Sequence, residues 1–77
     1  MKVTREQAQA VKARVEGQLI ALEGVTGIDT RLVREGSYGI RVFAERDHVD
    51  SLRLEIPSEI DGVPVEIVVR RFRLNED

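Results

Sequence analysis

The sequence predicts an α+β domain with an N-terminal helix packed on one face of a three- or four-stranded sheet. Apolar residues in the first part of the chain recur at three- and four-residue spacing, which is typical of a helix. From Gly27 onward they alternate with polar residues, which is typical of strands. A chain of 77 residues is short enough to form one domain, residues 1–77. The predicted order is helix, strand, strand, short helix or loop, strand.

The first predicted element is a helix that begins at Thr4. Thr4 and Gln7 have the spacing of a capping box. The apolar pattern stops at Gly24, where we expect a positive φ because a left-handed glycine commonly ends a helix. Gly17 interrupts the helix, and we expect it to allow a close approach to the sheet. The apolar face of this helix comprises Ala8, Val11, Val15, Leu19 and Leu22.

Two strands follow, Gly27 to Arg34 and Tyr38 to Glu45, joined by a turn at Glu35-Gly36-Ser37. A two-residue Gly-Ser turn puts the apolar sets of the two strands on opposite faces. A three-residue turn, or its five-residue extension, puts them on the same face. We therefore expect the longer turn, which pairs Leu32 with Ile40, Thr30 with Val42, and Ile28 with Ala44.

Residues 46–60 are consistent with two structures. Val49, Leu52 and Ile56 have helical spacing, while Leu52, Leu54 and Ile56 alternate as in a short strand. Pro57 ends either element.

An Asp61-Gly62 turn precedes the last strand. We expect Ile60 to be buried beneath this turn and Gly62 to adopt a conformation that other residues resist. Pro64 lies at the start of the strand, where a missing donor is tolerated. The alternation from Val65 continues through residues 70–74, so we expect the last strand to include them.

Composition excludes several classes of function. The chain has 14 acidic and 12 basic residues, for a net charge of −2, which argues against bulk nucleic acid or an anionic membrane as the main partner. It has no cysteine for a disulfide or thiolate site and only one histidine, which excludes multi-histidine metal sites. Charges interrupt every apolar run in residues 1–25, so we expect neither a signal peptide nor a membrane span, and a cytoplasmic location.

Ten of the twelve basic residues are arginine. One interpretation is a GC-rich bacterial genome, and the other is selection for bidentate contacts with carboxylates or phosphates. We favour the first, because the arginines are scattered along the chain.

A recognisable sequence pattern extends over three segments of the chain, GVTGIDTRLV, YGIRVFAE and IPSEIDGVPVEIVV. This pattern resembles a small domain found beside some bacterial trypsin-like peptidases, with its V-x-G-I strand, I-x-V-F strand and IP-x-x-IDGVPV turn. The chain departs from it at residues 29–31, where the family often has a second glycine. The catalytic serine, histidine and aspartate of the peptidase have no counterpart here. The resemblance therefore implies a standalone accessory domain rather than a protease.

The chemistry-bearing residues do not form a recognised catalytic pattern. Residues 45–50 (ERDHVD) combine carboxylates with His48, but a metal site needs three or four converging ligands, so we expect a polar loop. His48 with Ser51 or Ser58 lacks a third, orienting group. Two GxxG strings, residues 24–27 and 36–39, are expected to serve backbone geometry rather than to clamp nucleic acid. We expect no enzymatic activity, cofactor or metal.

The sheet face opposite the helix is the candidate site. Its mixture of valine, phenylalanine and arginine is enriched at protein–protein interfaces. A self-association or partner surface is the preferred interpretation, most simply a homodimer formed through this face or through the edge of the last strand. The alternatives are a half-covered face shielded by arginine stems and a single-stranded nucleic-acid platform with Phe43 and Phe72 stacking on bases. The candidate interface residues are Arg31, Val33, Arg41, Phe43, Val68, Arg70, Phe72 and Leu74.

Overall fold

Two helices and four strands make up the part of the chain that the computed structural model describes, residues 2–69. The predicted α+β fold is confirmed, with four strands in the sheet and a short helix before the last two. The elements are α1 (Arg5–Ile20), β1 (Val25–Arg34), β2 (Ser37–Ala44), a 3-10 turn (Arg46–His48) leading into α2 (Val49–Glu55), β3 (Glu59–Ile60) and β4 (Val63–Val69).

The sheet is mixed, with the strand order β1-β2-β4-β3. β1 and β2 form an antiparallel hairpin, and β3 and β4 form a second, much shorter one. β2 and β4 are parallel neighbours, so the chain must cross from the end of one to the start of the other. The segment containing α2 makes that crossover. The two central strands, β2 and β4, are therefore brought together from distant parts of the sequence.

Both helices cover the same face of the sheet. Ile40, Val42 and Ala44 of β2 have no exposed surface and lie at the centre of one hydrophobic core. Every second residue of a strand points to the same face, so this face is the buried one. The helical side of the core consists of Ala8, Val11 and Leu19 from α1, Val49 and Leu52 from α2, and Ile56 after α2.

The start of α1 agrees with the sequence, and its later part does not. The Gln7 amide donates to the Thr4 hydroxyl at 3.1 Å, and the Thr4 amide donates to Gln7 Oε1 at 2.8 Å, which confirms the capping box. Gly24 has the expected positive φ of 96°, but α1 already ends at Ile20, so this glycine shapes the turn into β1. The expectation for Gly17 is wrong, because a Cβ at that position has no atom within 4 Å.

The register of the first hairpin differs from the expected one by two residues. Thr30 pairs with Ile40 rather than Val42, and Leu32 pairs with Tyr38 rather than Ile40. The turn contains only Glu35 and Gly36, with Gly36 at φ 70°, and Val33 is an extra residue that the ladder accommodates as a bulge. An even shift leaves each side chain on its expected face, so the face assignment survives although the pairs do not. The third expected pair is wrong for the same reason: Ile28 faces Val42 instead of Ala44.

Residues 49–55 form a helix rather than a strand. Val49, Leu52 and Ile56 are buried, while Leu54 is 90% exposed, as helical spacing requires. A short helix allows the crossover to bury three apolar side chains on the core that the sheet and α1 already form.

The Asp61-Gly62 turn connects β3 to β4 as expected. Both residues have positive φ, 51° and 83°, which a two-residue type I′ hairpin requires. The prediction for Gly62 is confirmed. Ile60 packs against the core but is only partly buried, so the turn covers it less completely than expected. Arg14 of α1 forms an ion pair with Asp61 and ties the turn to the helix.

Candidate protein-interaction surface

The face of the sheet that the helices leave uncovered is called the open face. Side chains alternate along strands, so the neighbours of the buried Ile40 and Val42 in β2 point to this side. The strand register then determines which residues of β1 and β4 lie beside them. The open face comprises Gly27, Asp29, Arg31 and Val33 of β1, Gly39, Arg41 and Phe43 of β2, and Pro64, Glu66 and Val68 of β4.

A row of alternating charges crosses the middle of the open face. Asp29 faces Arg41 in the register, and Arg41 faces Glu66. Arg41 donates two hydrogen bonds to Asp29, from Nε to Oδ1 at 3.0 Å and from one Nη to Oδ2 at 2.7 Å. This bidentate geometry holds the guanidinium in a defined position.

The same pair shifts the protonation equilibria of both groups. The hydrogen bond from Arg41 lowers the pKa of Asp29, and partial burial opposes this only in part. The hydrogen bond to Asp29 raises the pKa of Arg41, and the nearby Glu66 carboxylate adds to this. Asp29 is therefore ionised at neutral pH, and the row keeps its alternating signs.

An apolar row lies next to the charged one. Gly27 faces Phe43, and Phe43 faces Val68. A Cβ at Gly27 lies 4.0 Å from the Phe43 ring, so the ring rests beside a position with no side chain. The guanidinium carbon of Arg41 lies 4.9 Å from the centre of the ring, which is within cation–π distance. Phe43 and Val68 are each half-buried and make a small apolar patch beside an ordered arginine.

The third row shows why Gly39 is a glycine. A Cβ at this position meets Val33 Cγ2 and the Pro64 carbonyl oxygen at 2.8 Å. Val33 and Pro64 thus close over Gly39 from the two neighbouring strands. This end of the open face is filled by contacts within the chain.

The structure places five of the eight candidate interface residues on one surface. Arg31 is exposed, and Val33, Arg41, Phe43 and Val68 are partly buried. The other three, Arg70, Phe72 and Leu74, lie outside the described residues.

Sequence reasoning missed the partner of Arg41. Asp29 precedes Arg31 by two positions, so alternation alone places it on the same face, but its pairing with Arg41 depends on the hairpin register. The Arg41 guanidinium lies over the Phe43 ring and covers part of this face, although the alternative interpretation expects the aliphatic stems of arginines to do so.

His48 lies in a second cluster of charged side chains. Its Nδ1 lies 3.4 Å from Glu45 Oε1, and its Nε2 lies 3.7 Å from Glu23 Oε2. Its Cβ and ring pack directly against Gly24. In residues 2–69 no three histidine, cysteine or acidic side chains come together as metal ligands.

Comparison with known proteins gives no relative for this chain. No protein-family model, curated protein or solved structure matches it. The resemblance to an accessory domain of peptidases therefore stays a prediction. Neither helix within the described range is long and apolar enough to span a bilayer.

Proposed function

We propose that this chain is a non-enzymatic protein-interaction domain that self-associates through its open face. The observation that carries the proposal is the unequal covering of the sheet. Both helices pack on one face, while Phe43 and Val68 lie next to each other on the other, only half-buried. Adjacent apolar groups bordered by charges are typical of interaction sites.

The charged row is compatible with a second copy as the partner and restricts how that copy packs. Its signs run negative, positive, negative across Asp29, Arg41 and Glu66. This order of signs reads the same from either end, so two copies related by a two-fold axis must be offset by one strand for Arg41 of each copy to face Glu66 of the other. Arg41 is already held by Asp29, so less side-chain entropy is lost when the surface is buried.

Nucleic acid is the less well supported partner. Arg41 is the central cation of the open face, yet its hydrogen bonds go to Asp29, and Glu66 lies beside it. A phosphate has to compete with these carboxylates. A base stacking on Phe43 also has to displace the Arg41 guanidinium. Filter binding of single-stranded oligonucleotides at low and moderate salt tests this alternative, and we expect no salt-resistant binding.

A protein-contact role agrees with the accessory domain that the resemblance implies. We place the protein in the bacterial cytoplasm as part of the same proposal. No catalytic residue is assigned.

Sedimentation velocity across a concentration series tests the proposal. We expect the wild type to associate in the micromolar range and Val68→Glu to weaken association by about tenfold or more, since it places a charge in the apolar row. Ile20→Glu is the matched control, because Ile20 is 44% exposed and lies at the end of α1, away from the open face.

Arg31→Glu is a second variant that does not disturb the core, because Arg31 is exposed. It reverses a charge on the open face, and we expect it to weaken association as well. A wild type that sediments as a monomer throughout the micromolar range contradicts self-association. Equal effects of Val68→Glu and Ile20→Glu contradict the role of the open face.

A further inference from the structure

The outer edge of β4 lacks a complete partner strand. β3 pairs only with Val63 and Pro64, and the Val65 amide adds one hydrogen bond to the Ser58 carbonyl at 2.9 Å. Beyond that point no strand of residues 2–69 pairs with β4 on this side. Alternate residues of a strand turn their amide and carbonyl groups to the same edge. The orientation of Val65 therefore places the N–H and C=O of Ile67 on the open edge.

A groove of about 550 Å³ runs beside this edge. Leu54, on its α2 side, is 90% exposed, the highest value among the large apolar side chains of the described residues. An unpaired strand edge next to apolar side chains is the geometry by which proteins accept an added strand. The groove is lined by Arg53, Leu54, Ile56, Pro57, Ser58, Val65, Glu66 and Ile67.

The groove has acidic surroundings. Glu66 is one of its lining residues, and Glu55 and Glu59 directly adjoin other lining residues in the chain. Arg53 is the one basic residue that the described part of the chain contributes to the lining. An extended segment that carries both basic and apolar residues complements this site.

The chain itself contains such a segment. Residues 70–77 read RRFRLNED, in which three arginines accompany Phe72 and Leu74. Eight residues span roughly 26 Å when extended, which exceeds the roughly 13 Å of β4 edge from residue 66 to residue 69. The segment is therefore long enough to cover the whole open part of the edge.

The covalent connection disfavours occupation of the groove by the same chain. Residue 70 directly follows Val69, so the segment would have to reverse at once to lie beside β4. A two-residue reversal at Arg70 and Arg71 requires positive φ, which favours Asn and Gly. A longer reversal leaves mainly Asn75, Glu76 and Asp77 to pair, and the carboxylates of Glu76 and Asp77 would meet the acidic groove.

We propose that the groove at the outer edge of β4 binds residues 70–77 of a second copy of this chain as an added strand. Two copies related by a two-fold axis can exchange these segments reciprocally, which satisfies both edges. This contact shares Glu66 with the open face but uses none of the apolar residues of that face.

Cross-linking between different copies tests the proposal directly, because the chain has no native cysteine. Ser58→Cys places a thiol in the groove, and Asn75→Cys places one in the segment. The two full-length proteins, one labelled with ¹⁵N, are mixed and treated with a short bis-maleimide. We expect about tenfold more heterodimer than from a control pair in which Gln18→Cys, an exposed position on α1, replaces Ser58→Cys.

Two further variants make the result specific. Leu54→Glu, at a position too exposed to support the core, and Phe72→Glu are each expected to reduce the heterodimer yield to the control level. Val68→Glu is expected to leave it unchanged, which separates this contact from the open face. A yield equal to that of the control pair, or a cross-link that forms only within one chain when both cysteines are combined, overturns the proposal.

Discussion

Replacing Gly24 by alanine tests how the turn after α1 is built. Gly24 has φ 96°, and an added Cβ lies 2.3 Å from His48 Cβ and 2.4 Å from its Cγ. A left-handed backbone costs an alanine about 1–2 kcal/mol. The clash adds about 1–3 kcal/mol, because His48 Cβ is fixed to the backbone and cannot rotate away. We therefore expect Gly24→Ala to destabilise the domain by about 2–5 kcal/mol.

This loss is large for a chain of 77 residues, whose total stability is expected to be about 4–12 kcal/mol. Thermal and urea unfolding followed by circular dichroism measure it, with about 4–8 °C of Tm per kcal/mol in a domain of this size. A partly unfolded Gly24→Ala protein at 25 °C is also consistent with the upper part of the range.

Gly62→Ala is the matched control. Gly62 also has a positive φ, 83°, but a Cβ there meets no atom within 4 Å. It therefore measures the backbone cost alone, about 1–2 kcal/mol. If the two variants lose the same stability, the contact between His48 and Gly24 does not add to the cost of the substitution, which contradicts the clash expected at this turn.

Three further predictions use the same unfolding measurements. Gly17→Ala is expected to stabilise by up to about 1 kcal/mol, because the position is helical and has space for a Cβ; a loss of stability would show a contact that we have overlooked. Ile60→Ala is expected to lower the free energy of unfolding by about 1–2 kcal/mol and Leu52→Ala by about 2–5 kcal/mol, because Leu52 is fully buried and Ile60 is only partly buried. Equal losses of stability would contradict this dependence on burial. Asp29→Asn is expected to cost less than about 1 kcal/mol at neutral pH, because the pair with Arg41 is partly exposed. Because the pKa of Asp29 is lowered, the ion pair stabilises the fold fully above pH 3.8, the ordinary pKa of the group, and this stabilisation is lost as the pH falls further. The stabilities of wild type and Asp29→Asn should therefore converge in acid. A difference in stability that stays constant with pH would show that it does not come from the ion pair.

The candidate surface was only partly predictable from the sequence. Alternation placed Arg41 and Phe43 on the same face, and β4 contributed Val68 by the same rule. The hydrogen-bonded pair of Arg41 with Asp29 was not predictable, because it requires a register shift of two residues, one from the shorter turn at Glu35 and Gly36 and one from the bulge at Val33. The groove beside β4 could not be predicted from the sequence either, because it forms only where α2 and β3 leave part of that strand uncovered.

The elements that the sequence determined by itself depend on short-range interactions. Each of them involves residues only a few positions apart, so the sequence is enough to predict it. They are the capping box at Thr4, the positive φ of Gly24 and Gly62, and the alternation of β2. Whether residues 49–55 form a helix or a strand was left open, because Leu52 and Ile56 fit both spacings. The tertiary structure decided that question, the strand order and the parallel pairing of β2 with β4, because each depends on which distant segments bury their apolar side chains in one common core.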